Sequence, residues 1–150
     1  MKRDFISILD WTSEEIRSNL DFAVELKHQT KEGKCPQLLQ GRTFGLFFHK
    51  PSLRTRLSFE VGITQLGGTA IVLTEQDFKI GERETVSDVA RIMSRYVDCI
   101  LIRTFSHQMV LDLSKHATVP VVNMLTDFNH PCQVMSDMLT IKEKLGRIDD

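Results

Sequence analysis

The sequence lacks several features that would mark it as a particular class of protein. No apolar run approaches the ~18 residues of a membrane span. The three cysteines are odd in number and have no CxxC spacing, which argues against a disulfide framework or a zinc site and favours a reducing cytoplasm. No charge of one sign dominates, since 19 basic and 20 acidic side chains give a net charge of −1. The composition therefore gives no reason to expect a nucleic acid or a membrane as partner.

What is present is typical of a globular protein. Hydrophobic residues make up 41% of the chain and charged residues 26%, so enough apolar surface is available to offset the entropy lost on folding. A chain of 150 residues is expected to form one domain. We therefore predict a single domain over residues 1–150.

Strand-like apolar runs alternate with segments of helical spacing. The first helix is predicted to begin after Thr12, which forms an S/T-x-x-E capping pattern with Glu15. Further helices are predicted at 53–66, 86–96, 109–116 and 132–145, and strands at 43–48, 70–73, 99–103 and 119–123. In the helix 53–66, the apolar residues at helical spacing are Leu57, Val61 and Leu66. Continuous β-branched runs between helices indicate parallel strands that are covered on both faces. The predicted fold is therefore α/β, a three-layer sandwich with a central parallel sheet of about four strands flanked by helices.

The segment 52–56 follows the first predicted strand and opens a helix. Ser52 is a suitable N-cap, which places Leu53, Arg54 and Thr55 in the first helical turn. The backbone N–H groups of that turn lie at the positive end of the helix dipole, where an anion gains their hydrogen bonds and those of nearby side chains. A capped helix with two solvated arginines would explain the same residues, so both interpretations stay open at this point.

Two further elements are predicted to lie at the same edge of the sheet. In segment 129–133, Pro131 suits a first helical turn, while His130 can bind a ligand carbonyl and Gln133 offers both a donor and an acceptor. Arg103 ends the third predicted strand. Because ligands of open α/β sheets bind at the carboxyl ends of the strands, we expect these elements to converge. Taken singly, a loop-capping histidine, an exposed glutamine and a strand-end arginine are ordinary features.

At these residues the sequence resembles a known family. The Ser-Leu-Arg-Thr-Arg of segment 52–56 resembles the Ser-Thr-Arg-Thr-Arg signature of the aspartate and ornithine carbamoyltransferases. The His-Pro-Cys-Gln of segment 130–133 resembles their second signature, in the form typical of the ornithine enzymes. The resemblance covers residues 4–148. It implies a transferase that moves the carbamoyl group of carbamoyl phosphate to the amine of ornithine, giving citrulline and phosphate in arginine biosynthesis or arginine/ornithine metabolism.

The resemblance also implies roles for residues at matching positions. The implied carbamoyl phosphate ligands are Ser52, Leu53, Arg54, Thr55, Lys79, Arg103, His130, Pro131, Cys132 and Gln133. Of these, Arg54, Arg103 and His130 are the implied catalytic residues, with His130 polarising the carbonyl. Gln133, with neighbouring backbone groups, would orient the carbamoyl amine. No metal or cofactor is implied. Family trimers share their sites, and Lys79 matches the position that reaches into a neighbouring subunit, although it could also act within its own chain.

Two departures from the family pattern leave alternatives open. Leu53 stands where the first signature usually has Thr, a form that also occurs in carbamoyltransferases of N-acylated ornithine. An aspartate or N-acylornithine carbamoyltransferase domain, or a non-catalytic anion-binding module, therefore remains an alternative. The chain is also about half the family's length. We expect the second, amino-acid-binding domain, which would bring ornithine, to be absent from this chain, and the 150-residue chain alone to be inactive or nearly so.

Overall fold

The described part of the protein consists of four strands and five helices, with one short 3₁₀ helix before them. A computed structural model describes residues 2–77, 79–81, 84–146 and 148. The strands are β1 (Thr43–Phe48), β2 (Thr69–Thr74), β3 (Cys99–Arg103) and β4 (Val121–Leu125). The helices are α1 (Ser13–Lys31), α2 (Leu53–Gln65), α3 (Val86–Met93), α4 (His107–His116) and α5 (Pro131–Leu145). None of the described helices is long and apolar enough to cross a membrane.

The four strands form one parallel sheet in the order β2-β1-β3-β4. The outer edge of β4 is covered by Phe5 from the N-terminal segment. The Phe5 N–H donates to the Val121 carbonyl at 2.9 Å, and the Asn123 N–H donates to the Phe5 carbonyl at 2.8 Å. The predicted parallel sheet of four strands is confirmed, and all its carboxyl ends lie at one edge.

Helices cover both faces of the sheet, as predicted. Successive side chains of β1 point to opposite faces of the sheet, with Leu46 and Phe48 in one apolar cluster and Phe47 in the other. Helices α3 and α4 supply the cluster around Phe47, while α2 supplies Ile63 to the other cluster. Helix α5 packs against β4, and α1 packs against α5. The three-layer α/β sandwich is therefore confirmed.

The inner face of α2 differs from the expectation given by the spacing of its apolar residues. Leu57 and Val61, which that spacing favoured, are 52% and 49% exposed. Phe59 and Ile63, also four residues apart, pack against the sheet instead. Two apolar stripes at helical spacing compete in this segment, and the one with the larger aromatic side chain packs against the sheet.

Strand β4 lies two residues later than the predicted strand 119–123. Pro120 has no N–H to donate, so the ladder begins at Val121, although the Pro120 carbonyl accepts from the Ile100 N–H at 2.9 Å. At the other end, the Leu125 carbonyl accepts from the Thr104 N–H at 3.0 Å. The strand therefore continues to Leu125 and delivers the following loop to the carboxyl edge.

Two helix boundaries differ from the prediction by more than one residue. Helix α3 ends at Met93 rather than residue 96, because the chain turns there and the Met93 carbonyl accepts from the Tyr96 N–H at 2.9 Å. Helix α4 begins at His107 rather than residue 109, because the Ser106 hydroxyl caps it by accepting from the Met109 N–H.

Candidate functional site at the carboxyl edge of the sheet

A cavity of about 730 Å³ opens at the carboxyl edge of the sheet. It is bounded by the ends of β3 and β4, the first turns of α2 and α5, and the N-terminal segment. Its lining residues are Phe5, Ser52, Arg54, Thr55, Ser58, Phe59, Arg103, Leu125, His130, Cys132, Gln133, Met135 and Ser136. The three elements that the sequence placed at this edge therefore meet in one cavity.

The first turn of α2 presents unpaired donors to the cavity. The Ser52 hydroxyl caps the helix by accepting from the Thr55 N–H at 3.3 Å. Within the described ranges, no acceptor faces the backbone N–H groups of Leu53 and Arg54 or the Arg54 guanidinium. Such groups at a helix start can donate together to one anion.

Arg103 connects β3 to the start of α2. Its carbonyl accepts from the His49 N–H at 2.9 Å, which extends the pairing of β1 and β3 past Phe48. Its Nη1 donates to the Thr55 hydroxyl at 3.1 Å. Its Nε is buried and has no hydrogen-bond partner among the described residues. Burial lowers the pKa of this guanidinium, which remains cationic at neutral pH.

His130 caps α5 and turns one ring nitrogen toward the helix. Its Nδ1 accepts from the Gln133 N–H at 3.3 Å, so the neutral ring carries its proton on Nε2. Burial lowers the pKa of His130, the positive charge of Arg103 lowers it further, and Asp137 opposes them. The ring is therefore neutral at physiological pH, and its Nε2–H can donate.

The rest of the first turn of α5 is fixed by local hydrogen bonds. The Gln133 Nε2 donates to the Asp137 Oδ1 at 2.8 Å. The Cys132 thiol donates to the Asn123 carbonyl at 3.3 Å, and burial raises the pKa of this thiol to about 12. Cys132 is thus an inert wall of the cavity rather than a nucleophile.

Three of the predicted site side chains do not line the cavity. Leu53 is 74% exposed and borders a neighbouring groove, while Pro131 is buried as the first residue of α5. For these two, the resemblance implies a backbone contribution. Lys79 is exposed and is not brought to the cavity of its own chain.

Several lining residues were not predicted from the sequence. Ser58 lies one helical turn after Arg54, and Ser136 lies one turn after Cys132, so helical spacing from the predicted residues could have found them. Phe5 gave no comparable signal, because its position depends on pairing with a strand more than a hundred residues away.

The cavity has the chemistry of an anion site. Arg54 and Arg103 supply two positive charges, and none of its lining residues is acidic. Among the described residues, no group of three or more His, Cys, Asp or Glu could hold a metal ion. A phosphate group would gain the two guanidinium groups and the N–H groups of α2.

Comparison with known proteins agrees with this chemistry. Residues 3–143 match the protein family described as aspartate/ornithine carbamoyltransferase, carbamoyl-P binding domain. The chain belongs to this family. The resemblance carried by the two signature segments is thereby confirmed.

Relatives within the carbamoyltransferase family are similar over nearly all of this chain. The ornithine carbamoyltransferase of Anoxybacillus flavithermus is 49% identical over 146 residues, which are 97% of this chain and 46% of the relative. The solved ornithine carbamoyltransferase from Pyrococcus furiosus superposes with a TM-score of 0.96 at 49% identity, covering 98% of this chain and 47% of that one. An acetylornithine transcarbamylase complexed with acetylcitrulline gives a TM-score of 0.86 at 33% identity, covering 97% and 49%. The chain spans about half the length of the relatives it matches.

Proposed function

We propose that this chain is the carbamoyl-phosphate-binding half of an ornithine carbamoyltransferase. The observation that carries the proposal is the meeting of two arginines, a neutral histidine and a glutamine in one cavity, from three separate segments of the chain. A non-catalytic anion-binding module would need the arginines only. The histidine and glutamine beside them support a ligand that has a carbonyl and an amine as well as a phosphate.

The phosphate would bind at the start of α2. The Arg54 guanidinium and the backbone N–H groups of Leu53 and Arg54 have no other partner in the described part of the chain, and neither has the buried Arg103 Nε. Ser52 and Thr55 add hydroxyl groups. Guanidinium forks hold phosphate oxygens more strongly and more directionally than point charges do.

The carbamoyl group would lie toward α5. The His130 Nε2–H would donate to its carbonyl oxygen, while Gln133 and the backbone of Pro131 and Cys132 would orient its amine. When the acceptor amine attacks the carbonyl carbon, a C–N bond forms, the C–O bond to phosphate breaks, and the proton lost by the amine passes to the departing phosphate. Negative charge grows on the carbonyl oxygen and on the departing phosphate. Fixed donors at both places lower the barrier.

Ornithine is the acceptor that the relatives support best. The ornithine carbamoyltransferases of Anoxybacillus flavithermus and Pyrococcus furiosus are each 49% identical to this chain, whereas the acetylornithine transcarbamylase is 33% identical. We propose that ornithine reaches the site through a second, amino-acid-binding domain, since the relatives are about twice as long. The 150-residue chain should then form at most traces of citrulline from carbamoyl phosphate and ornithine. Turnover at the rate of a full-length relative would contradict this dependence on a second domain.

We further propose that three copies assemble with shared sites. Lys79 does not line the cavity of its own chain, which supports a role in the cavity of a neighbour. A lysine would add a positive charge beside a phosphate dianion.

Calorimetric titration with phosphonoacetamide, a stable analogue of carbamoyl phosphate, tests the proposed site. Arg54→Ala should abolish measurable binding, because the phosphonate loses its hydrogen bonds to a guanidinium that pairs with no other group in the described ranges. Arg56→Ala is the matched control. Arg56 lies two residues later in α2, pairs with Glu60 at 2.9 Å and does not line the cavity. Its variant should bind as the unmodified chain does.

The two variants distinguish a specific site from general surface charge. Loss of binding in Arg54→Ala alone supports the site. Equal loss in both variants would point to general surface charge instead. No binding of phosphonoacetamide by the folded, unmodified chain would contradict the proposed function.

A further inference from the structure

Asp137 does not line the cavity, but it contacts a residue that does. It follows Gln133 by one turn of α5, and its carboxylate accepts from the Gln133 Nε2 at 2.8 Å. Gln133 lines the cavity, and Asp137 does not. We propose that Asp137 is a positioning residue, which fixes the Gln133 amide so that its oxygen accepts from the amine of the bound carbamoyl group. This inference rests on the proposed function.

The orientation follows from the donors and acceptors present. A glutamine amide has an NH₂ end that donates and an oxygen that accepts, and the two ends have nearly the same shape. An ionised carboxylate can only accept, so the NH₂ end of Gln133 must face Asp137. The Gln133 Oε1 is the end that remains for a ligand. A glutamine without this partner could present either end.

This orientation has a consequence for specificity. A carbamoyl group presents two N–H donors beside its carbonyl, and the Gln133 Oε1 can accept from one of them. An acetyl group has a methyl in that place and would leave the oxygen without a partner. Sites that hydrogen-bond a substrate N–H discriminate strongly against an analogue that lacks it. Asp137 would therefore favour a carbamoyl phosphate over an acetyl phosphate.

The experiment compares two phosphonates that differ only at this group. Phosphonoacetamide carries NH₂ on its carbonyl carbon, and acetonylphosphonate carries CH₃. Affinities for both, and for inorganic phosphate, are measured by calorimetry on the unmodified chain and on Asp137→Ala. A pH of 8 keeps His130 neutral in both proteins, because burial already lowers its pKa.

The expected result is a change in preference. Without Asp137, the amide regains its rotamers and its second orientation, and fixing one side chain on binding costs about 1 kcal/mol. The ratio of the two phosphonate affinities should fall about fivefold. The affinity for inorganic phosphate should not fall, because phosphate has no group that accepts or donates at the Gln133 amide in place of the carbamoyl amine.

Helix α4 offers a matched control. The Gln108 Nε2 donates to the Asp112 Oδ1 at 2.9 Å, the same pairing four residues apart, and neither residue lines the cavity. Asp112→Ala should leave all three affinities unchanged. An unchanged ratio in Asp137→Ala, or an equal loss for all three ligands, would overturn the inference while leaving the proposed function standing.

A second measurement needs no ligand. In a nitrogen-15 NMR spectrum, Asp137→Ala should shift the side-chain NH₂ signals of Gln133 and leave those of Gln108 in place. Unmoved Gln133 signals would overturn the inference on their own. If the unmodified chain bound neither phosphonate, the proposed function would fall and the specificity argument with it, while the NMR result would still report on the amide.

Discussion

The Arg103 side chain is fixed by one hydrogen bond and still has a donor without an acceptor. Its backbone continues the pairing of β1 and β3, and its Nη1 is fixed by the Thr55 hydroxyl. Its buried Nε has no partner among the described residues. A buried donor without an acceptor costs about 1–3 kcal/mol, which a bound oxygen would recover. The Arg103 Nε–H is therefore available to donate to a ligand oxygen.

Replacing Arg103 with lysine tests that interpretation. Arg103→Lys keeps the positive charge and removes the planar set of donors, so affinity for phosphonoacetamide should fall by about tenfold or more. Calorimetry measures the affinity, and thermal unfolding shows whether the variant is folded. An affinity equal to that of the unmodified chain would show that charge alone is sufficient.

The sequence could predict individual site residues, but not the hydrogen bonds that join them. Ser52, Arg54 and Thr55 were predictable because a cap and a helix start are local features. The contact from Arg103 to Thr55 joins residues 48 positions apart, and no local pattern indicates it. The role proposed for Asp137 depends on its contact with Gln133 in the folded chain.

The first turns of α2 and α5 line the cavity, and the N-cap side chain of each accepts a hydrogen bond from a backbone N–H of that turn. Helix α4 has a similar cap. Ser52 caps α2 beside the cavity, and Ser106 caps α4 away from it, with similar distances of 3.3 and 3.2 Å to the capped N–H. The two caps therefore offer a comparison between stability and binding.

Ser52→Ala and Ser106→Ala should each lower the free energy of unfolding by about 1 kcal/mol, because each leaves a backbone N–H without its cap. Only Ser52→Ala should also weaken phosphonoacetamide binding. Thermal unfolding and calorimetry on both variants check this. Equal affinity loss in the two variants would indicate that destabilisation, rather than the lost hydroxyl, reduces binding.

The start of α1 predicts a dependence of stability on pH. Glu15 accepts from Arg3 at 2.6 Å and from the Thr12 N–H at 2.8 Å, and these contacts lower its pKa from 4.5 to about 2. The folded state therefore favours the carboxylate. The resulting stabilisation is complete above pH 4.5 and is lost as the pH falls from 4.5 toward 2.

Glu15→Gln removes this charge and keeps a similar shape. The melting temperature of the variant should lie below that of the unmodified chain at pH 7, and the two should converge near pH 2. Glu14→Gln is the control, because Glu14 has no ion pair or side-chain hydrogen bond within the described ranges. A gap that stays constant with pH would contradict the assigned pKa shift.

Elements were predictable where the local signal was unambiguous. The bounds of β1 agree with the prediction because a run of apolar residues ends at a turn on each side, and α1 begins at its capping pattern. Strand β4 and the inner face of α2 were not predictable. In each case two local patterns were possible, and packing against the rest of the sheet selected one.

On the scale of the whole molecule, one apolar surface stands away from the site. A groove of about 340 Å³ lies between β2 and α3, and it is lined mostly by apolar side chains. Ile71, Ile92 and Tyr96 there are exposed. Strand β2 is also the edge strand of the sheet opposite β4. We expect this groove to be the surface that joins copies of the chain in the proposed trimer.

Ile92→Glu should shift the protein from trimer to monomer in analytical ultracentrifugation, because a carboxylate would be buried at the contact. Ile141→Glu, which changes an isoleucine of similar exposure on α5, should leave the assembly unchanged. Monomers in the unmodified protein would contradict the trimer, and trimers in Ile92→Glu would place its contact elsewhere.

The covering of β4 by Phe5 has a consequence for synthesis. Asp4 also binds the Val121 N–H, and these partners are 117 residues apart. A ribosome adding about 10 residues per second separates them by roughly 12 s. During that interval Phe5 has left the ribosome, while the strand it pairs with has not yet been made. The wall that Phe5 adds to the cavity therefore cannot form until β4 has been synthesised.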